Sequence, residues 1–183
     1  MPRIRILFII GNFGTGGKER QLTEIIKGLS KEMYEIHLFV KQNTSFYLGS
    51  IEDHLTSYYS LEKENFSIFD ILILRQCTNS IKPHIVFSFS KALSHFSLLL
   101  RLLGGFHYRL INGAIRDAPI KLNFILRIEK VLYNCYTEVV ANSLAGLLAY
   151  KQTDKKGRYV LYNGFDDIRT PEKSKIELRK QLG

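Results

Sequence analysis

Apolar positions along this chain alternate between two periods. Arg3 to Ile10 is a nearly continuous apolar run ended by Gly11-Asn12, as a parallel strand buried on both faces reads. Lys18 to Lys31 then sets Leu22, Ile25, Ile26 and Leu29 at i, i+3, i+4 and i+7, the spacing of one helix face. Tyr34 to Val40 alternates and then turns apolar, which predicts a second strand. From Gln42 to Asn65 the pattern weakens, and only a short third strand over Ser57 to Leu61 is expected. Ser67 to Ile81 returns to helical spacing and is stopped by Lys82-Pro83. Ile85 to Ser88 predicts a fourth strand, Ala92 to Leu103 an apolar helix closed by Gly104-Gly105, and Tyr108 to Asn112 a fifth strand. Leu122 to Tyr136 is helical, Glu138 to Ala141 a sixth strand, and Ser143 caps a helix over Leu144 to Gln152. Arg158 to Tyr162 is the last strand.

Strands that alternate with helices imply right-handed crossovers. The expected fold is α/β: a Rossmann-like, doubly wound, mostly parallel sheet of about seven strands with helices on both faces. In such sheets ligands bind beyond the carboxyl ends of the strands, where loops enter helices. Residues 1–164 account for this domain. Residues 165–183 read as a linker, with Pro171 to Leu182 as a separate basic amphipathic helix.

Composition narrows the picture only in part. The chain has 183 residues, 45% hydrophobic and 23% charged, enough apolar residues for one sizeable core. No apolar run approaches the roughly 18 residues that span a bilayer, and nothing resembles a signal peptide, so the expected compartment is the cytoplasm. The net charge of +9 points to nucleic acid, anionic lipid or a phosphorylated substrate. No helix-turn-helix, zinc-finger or RNA-binding signature accompanies it, which argues against nucleic acid. The five histidines show no metal-ligand spacing, and no metal is expected. Cys77 and Cys135 are far apart and read as two buried thiols. The helix over Ala92 to Phe106 carries Leu98, Leu99, Leu100, Leu102 and Leu103. It reads as core or as peripheral contact with the inner face of the plasma membrane.

The segment Gly11-Asn12-Phe13-Gly14-Thr15-Gly16-Gly17-Lys18-Glu19-Arg20 packs its glycines between a buried strand and a helix start. Glycine takes positive φ readily and lets a ligand approach the backbone. A helix N-terminus offers free N–H groups and partial positive charge, which suit a phosphate. Two phosphate motifs fail here. In the P-loop register set by Gly17-Lys18, Asn12 replaces the first glycine and Glu19 replaces the magnesium-binding hydroxyl. In the dinucleotide register Glu19 replaces the third glycine, and the second strand ends Val40-Lys41 with no ribose-binding acid. A nucleotide-dependent oxidoreductase is therefore a remote alternative, and a tight turn without ligand is a second one.

The pattern Gly14-x-Gly16-Gly17-x-Glu19-Arg20 resembles the opening of the family 4 retaining glycosyltransferases of GT-B fold. Three later segments are similar to that family in the same order. Lys82-Pro83-His84-Ile85-Val86-Phe87-Ser88 resembles its K-P-D-I-V-H-S strand, with departures at His84 and Phe87. Val139-Val140-Ala141-Asn142-Ser143 resembles V-V-A-N-S, and Val160 to Asp166 resembles V-I-Y-N-G-I-D. The resemblance covers essentially the whole chain. It implies the N-terminal, acceptor-side half of a two-domain enzyme, followed by a linker toward a C-terminal domain or a partner chain that carries most donor contacts. It further implies no resident cofactor, a nucleotide-sugar as co-substrate, and a glycan or lipid-linked acceptor.

Carried over residue by residue, the resemblance implies that Gly16 and Gly17 admit the donor diphosphate to backbone amides, with Lys18 and Arg20 adding positive field. Many members carry a histidine in the loop after the fifth strand; here Asn112 to Pro119 has Arg116-Asp117 instead. Arg116 could clamp a phosphate or carboxylate, and Asp117 could orient an acceptor hydroxyl. These two are the candidate catalytic residues, and a plain surface ion pair is the alternative. Ser88 and Ser90 are expected at the acceptor side of the cleft. Asn142-Ser143 reads as a helix cap and Asn163-Gly164 as the hinge.

Overall fold

The computed structural model describes residues 2–42, 45–62, 67–120, 124–163 and 179–180. Among the described residues there are seven strands: β1 Ile4–Ile10, β2 Tyr34–Val40, β3 Ser57–Ser60, β4 Ile85–Ser88, β5 Arg109–Ile115, β6 Glu138–Ala141 and β7 Arg158–Val160. The α-helices are α1 Gly17–Gly28, α2 Asp70–Ile81, α3 Lys91–Leu103, α4 Phe124–Leu132 and α5 Leu144–Ala149. Short 3-10 turns cover Leu48–Ser50, Glu52–His54 and Tyr133–Cys135. The expected basic helix over Pro171 to Leu182 lies almost wholly outside the described residues, as does Gly164.

All strand pairs are parallel, in the order β3-β2-β1-β4-β5-β6-β7. The order reverses between β1 and β4, which places a crevice above their carboxyl ends. β1 is central and splits its side chains between two cores, which explains its unbroken apolar run. Leu7 and Ile9 join Leu74, Leu93 and Leu98 of α2 and α3, while Ile6, Phe8 and Ile10 join Leu22 and Ile26 of α1. Helices thus cover both faces, as the alternating pattern implies.

Several boundaries differ from the pattern for local reasons. α2 starts at Asp70 because Ser67 makes a turn before it: Ser67 N donates to Asp70 Oδ2 at 3.1 Å and Asp70 N donates to Ser67 O at 3.0 Å. α5 ends at Ala149, and Lys151 takes a left-handed φ of 51°. Gln152 is thereby turned inward, where Arg158 Nε donates to its Oε1 at 3.1 Å. β5 runs on to Ile115 through a register shift against β6 between Asn112 and Ile115, an irregularity of the kind that re-aims a strand end near a site. Gly113 sits in that stretch, and a Cβ there would stand 2.7 Å from the Phe87 ring.

The two cysteines do not behave alike. Cys77 is buried in α2, and burial pushes its thiol up to about 12. Cys135 is exposed, contrary to the expectation of two buried thiols. It lies where α4 tightens into a 3-10 turn, and its carbonyl accepts from Arg101 Nη2 at 2.7 Å. α3 is amphipathic: Leu93, Leu98 and Leu100 are buried, while Leu99, Leu102 and Leu103 are exposed. Among the described residues, no helix is long and apolar enough to cross a membrane.

Candidate functional site

The glycine-rich turn joins β1 to α1 at the switch point. Phe13 anchors it in the core beneath α1, and Gly14 N donates to Asn12 Oδ1 at 2.6 Å. Gly16 is the N-cap of α1, with extended backbone (φ −74°, ψ 166°) and no side-chain cap. Arg20 N donates to Gly16 O at 3.1 Å and closes the first helical turn. None of the turn's glycines has the positive φ anticipated for them; among the described glycines that conformation belongs to Gly105 and Gly157. The turn needs glycine for space instead. A Cβ on Gly14 would meet Asn12 Oδ1 at 2.9 Å, and one on Gly16 would collide with Glu19 Oε2. Gly17 differs, because a Cβ there would meet nothing within 4 Å.

Glu19 explains the crowding at Gly16. It is the third residue of α1, only 4% exposed, and its Oε1 lies 3.5 Å from Lys18 Nζ. An acid in the first turn interacts favourably with the helix dipole. The position a phosphate would take beside Gly16 is therefore partly filled by the protein's own carboxylate.

Arg116 leaves the end of β5 and is fixed on three sides. Its Nε donates to Gly113 O at 3.0 Å, its guanidinium lies 5.0 Å from the centre of the Phe89 ring, and its Nη1 donates to Gln21 Oε1. Burial lowers its pKa, and the nearby charge of Glu19 works in the opposite direction. Gln21 continues the connection, since its Nε2 donates to Leu161 O at 2.9 Å just past β7.

These elements enclose a cavity of about 450 Å³. The turn contributes Gly16, Gly17, Lys18 and Glu19, β5 contributes Arg116, and the exits of β6 and β7 contribute Asn142 and Asn163. Among the described residues, Asn142 Oδ1 is buried without a hydrogen-bond partner. A neighbouring cavity of about 660 Å³ opens on the other side of Gly16 and Glu19, against Asn12, Gly14, Thr15, Ser45 and Phe46. The first cavity combines a guanidinium, an ammonium and helix-terminal amides with carboxylate and carboxamide oxygens. That set suits a ligand carrying both an oxyanion and hydroxyls.

The remaining sequence-derived residues lie differently. Arg20 lines neither cavity. Ser88 is fully buried and shapes the β4–α3 turn, its Oγ donating to Ser90 O at 3.1 Å. Ser90 is the N-cap of α3, and its Oγ lies 3.5 Å from where a Gly11 Cβ would stand. Ser143 caps α5, accepting from Gly146 N at 3.2 Å. Asp117 is exposed and accepts from Tyr150 Oη at 3.3 Å. The surface Arg–Asp pair considered from sequence is thus absent from the ion pairs of the described residues.

Comparison with solved structures defines this architecture. HepE of Anabaena, solved with UDP and glucose, superposes with a TM-score of 0.69 at 19% identity, over 99% of this chain and 50% of HepE. The fold is Rossmann-like and matches one domain of these GT-B structures. The lipopolysaccharide outer core galactosyltransferase WaaB, in its apo form, gives a TM-score of 0.66 at 16% identity, over 94% of this chain and 50% of WaaB. The UDP-GlcNAc 2-epimerase of Neisseria meningitidis, bound to UDP-GlcNAc, gives 0.58 at 14% identity, over 86% and 45%. The chain therefore spans about half the length of the solved structures it matches. No protein-family model matches the chain, and no curated protein matches it.

Sequence reasoning missed three groups in this GT-B-like half. Gln21 is a buried amide on the inner side of α1, and nothing in its neighbours marks it. Phe89 reads as one more core aromatic, yet it also carries the Arg116 guanidinium. Lys91 opens α3 and pairs with Glu129 at 3.2 Å. Burial opposes its charge, but Glu129, Tyr150 and Asp117 together raise its pKa. A lysine four residues before His95 carries no sequence signal for a partner on a helix some forty positions away.

Proposed function

We propose that this chain is the acceptor-side N-terminal domain of a family 4-type retaining glycosyltransferase. The whole enzyme moves a sugar from a nucleotide-sugar to a glycan or lipid-linked acceptor, in bacterial surface polysaccharide synthesis. The observation that carries this reading is the cavity shared by Gly16, Gly17, Lys18, Arg116, Asn142 and Asn163 at the switch point. The fold adds support, because HepE and WaaB each match over half their length, HepE was solved with UDP and glucose, and WaaB is a galactosyltransferase.

In this reading the first turn of α1 and Arg116 stabilise the charge that develops on the leaving diphosphate. Gly17, open on its Cβ side, lets the diphosphate reach the backbone. Ser90 and Asp117 are assigned to the acceptor side, and a donor-binding half is assigned to a further domain or a partner chain. No metal and no resident cofactor take part. The exposed apolar side chains of α4, and in second place the exposed leucines of α3, together with the net positive charge suit peripheral contact with an anionic membrane that presents the acceptor.

The test is a titration of the chain with UDP-glucose followed by NMR, beside a transfer assay with and without a donor-binding domain supplied in trans. Shifts confined to residues 14–20 and 116, with turnover only in the presence of the second domain, support the proposal. Turnover by this chain alone, or shifts elsewhere in the sheet, count against it. A second reading is a non-catalytic subunit of a split enzyme that binds acceptor or membrane. It predicts a stable complex with a separate chain carrying the donor site.

A further inference from the structure

The carboxamide of Gln21 is 6% exposed and bridges two groups that belong to different strand exits. Its orientation is forced by chemistry. A guanidinium can only donate, so Oε1 must face Arg116; a carbonyl can only accept, so Nε2 must face Leu161 O. Arg116 Nη1 donates to Oε1, and Nε2 donates to Leu161 O at 2.9 Å. The same Arg116 lines the cavity with Lys18 and the first turn of α1, while Asn163, two residues past Leu161, lines its other side. One buried side chain thus connects the principal cation of the cavity to the backbone leaving β7.

We propose that Gln21 is a positioning residue that couples Arg116 to the backbone after β7, so that an oxyanion engaging Arg116 loosens the Leu161 tether. Nε and Nη1 are already given to Gly113 O and Gln21 Oε1, so an oxyanion that grips the guanidinium through Nη1 competes with Gln21 for it. An anion that draws Nη1 into the cavity removes the restraint on Oε1, and the amide then holds Leu161 O less firmly. The converse follows by linkage: a pull on the segment after β7 reorients Arg116. The coupling rests on these contacts and stands whether or not the chain takes part in sugar transfer.

The test uses NMR of the full chain, reading hydrogen exchange at Arg116 Nε–H, at the Gln21 side-chain amide and at the backbone amides of Leu161 and Tyr162. Inorganic pyrophosphate is the oxyanion probe. Gln21→Leu speeds exchange at both Arg116 and Leu161, by about two- to tenfold, the range of a single hydrogen bond. Gln21→Glu keeps an acceptor for Arg116 but loses the donor to Leu161 O, so exchange speeds at Leu161 and slows or holds at Arg116. A merely structural glutamine would loosen both sites alike in both variants. Pyrophosphate shifts Arg116 and Leu161 together in the wild type and Arg116 alone in Gln21→Leu. Arg116→Lys, which keeps the charge but loses the fork, loosens Leu161 by a similar factor. If Leu161 and Tyr162 stay unchanged on pyrophosphate binding and in Arg116→Lys, or if pyrophosphate leaves Arg116 unmoved, the coupling is wrong.

Discussion

The carboxylate of Glu19 occupies the space that a side chain on Gly16 would need, so the N-cap of α1 and the third residue of that helix are sterically locked together. Gly16→Ala should therefore act through Glu19. Overpacking costs about 1–3 kcal/mol, and because the clashing atom is the far end of a flexible side chain the value falls in the lower part of that range. Glu19→Ala removes the obstacle, so the double variant should be more stable than the sum of the two single effects. Urea denaturation of the four proteins measures the coupling. Strict additivity would mean that Glu19 does not hold the observed position.

Gly17 separates stability from ligand binding. Its Cβ direction is open, so Gly17→Ala meets no steric penalty, and alanine is favoured over glycine in a helix by up to about 1 kcal/mol. The variant should melt at or above the wild-type temperature. If a diphosphate approaches the Gly17 amide, the added methyl should weaken UDP binding by about tenfold or more, corresponding to about 1.4 kcal/mol. Calorimetric titration with UDP checks this, and equal affinity in both proteins would remove Gly17 from the site.

Much of this fold is legible in the sequence because β1, β2, β4 and β6 have apolar runs whose ends are set by turn residues. The site is legible only where glycine or strand exits mark it. Gly16, Gly17, Lys18, Arg116 and Asn163 meet in one cavity because the parallel sheet brings their loops to one edge. Ser88 shows the limit: its place after β4 suggests the cleft, but the serine turns inward and bonds its own loop. Arg116 and Gln21 are 95 positions apart, and no local pattern encodes that contact. Asp117 follows Arg116 in sequence, yet its carboxylate meets Tyr150 while Arg116 meets Gln21 and Phe89.

One buried and one half-buried histidine, His37 and His95, contribute to the acid limit of stability. Burial lowers the pKa of His37, with Arg5 helping and Glu35 opposing; burial also lowers that of His95, with Lys91 helping and Glu129 opposing. A folded-state pKa below the unfolded value of 6.5 means that the unfolded chain binds more protons. Their contribution is complete above pH 6.5 and is lost as pH falls from there through the folded values. Thermal unfolding should be nearly flat from pH 7 to 8 and decline below about pH 6.5. The double variant His37→Gln, His95→Gln should flatten that decline, although its stability at pH 7 falls. An unchanged slope would place the acid sensitivity elsewhere.

α4 presents the reverse of an ordinary surface helix. Phe124, Ile125, Ile128 and Val131 are exposed at helical spacing, while Glu129 is turned inward to Lys91. A run of exposed apolar side chains on one helix marks a contact surface, and a net charge of +9 favours an anionic one. Because these side chains touch little of the core, Phe124→Ser with Ile128→Ser should change folding stability by no more than about 1 kcal/mol in total. The same pair should abolish most binding to vesicles containing phosphatidylglycerol, measured by cosedimentation. Wild-type binding should weaken as salt rises, since the electrostatic part is screened over about 10 Å at 0.1 M. Binding that survives the double substitution would shift the membrane contact to the exposed leucines of α3. No binding by the wild type would remove the membrane from the proposal and leave the apolar face of α4 for a protein partner.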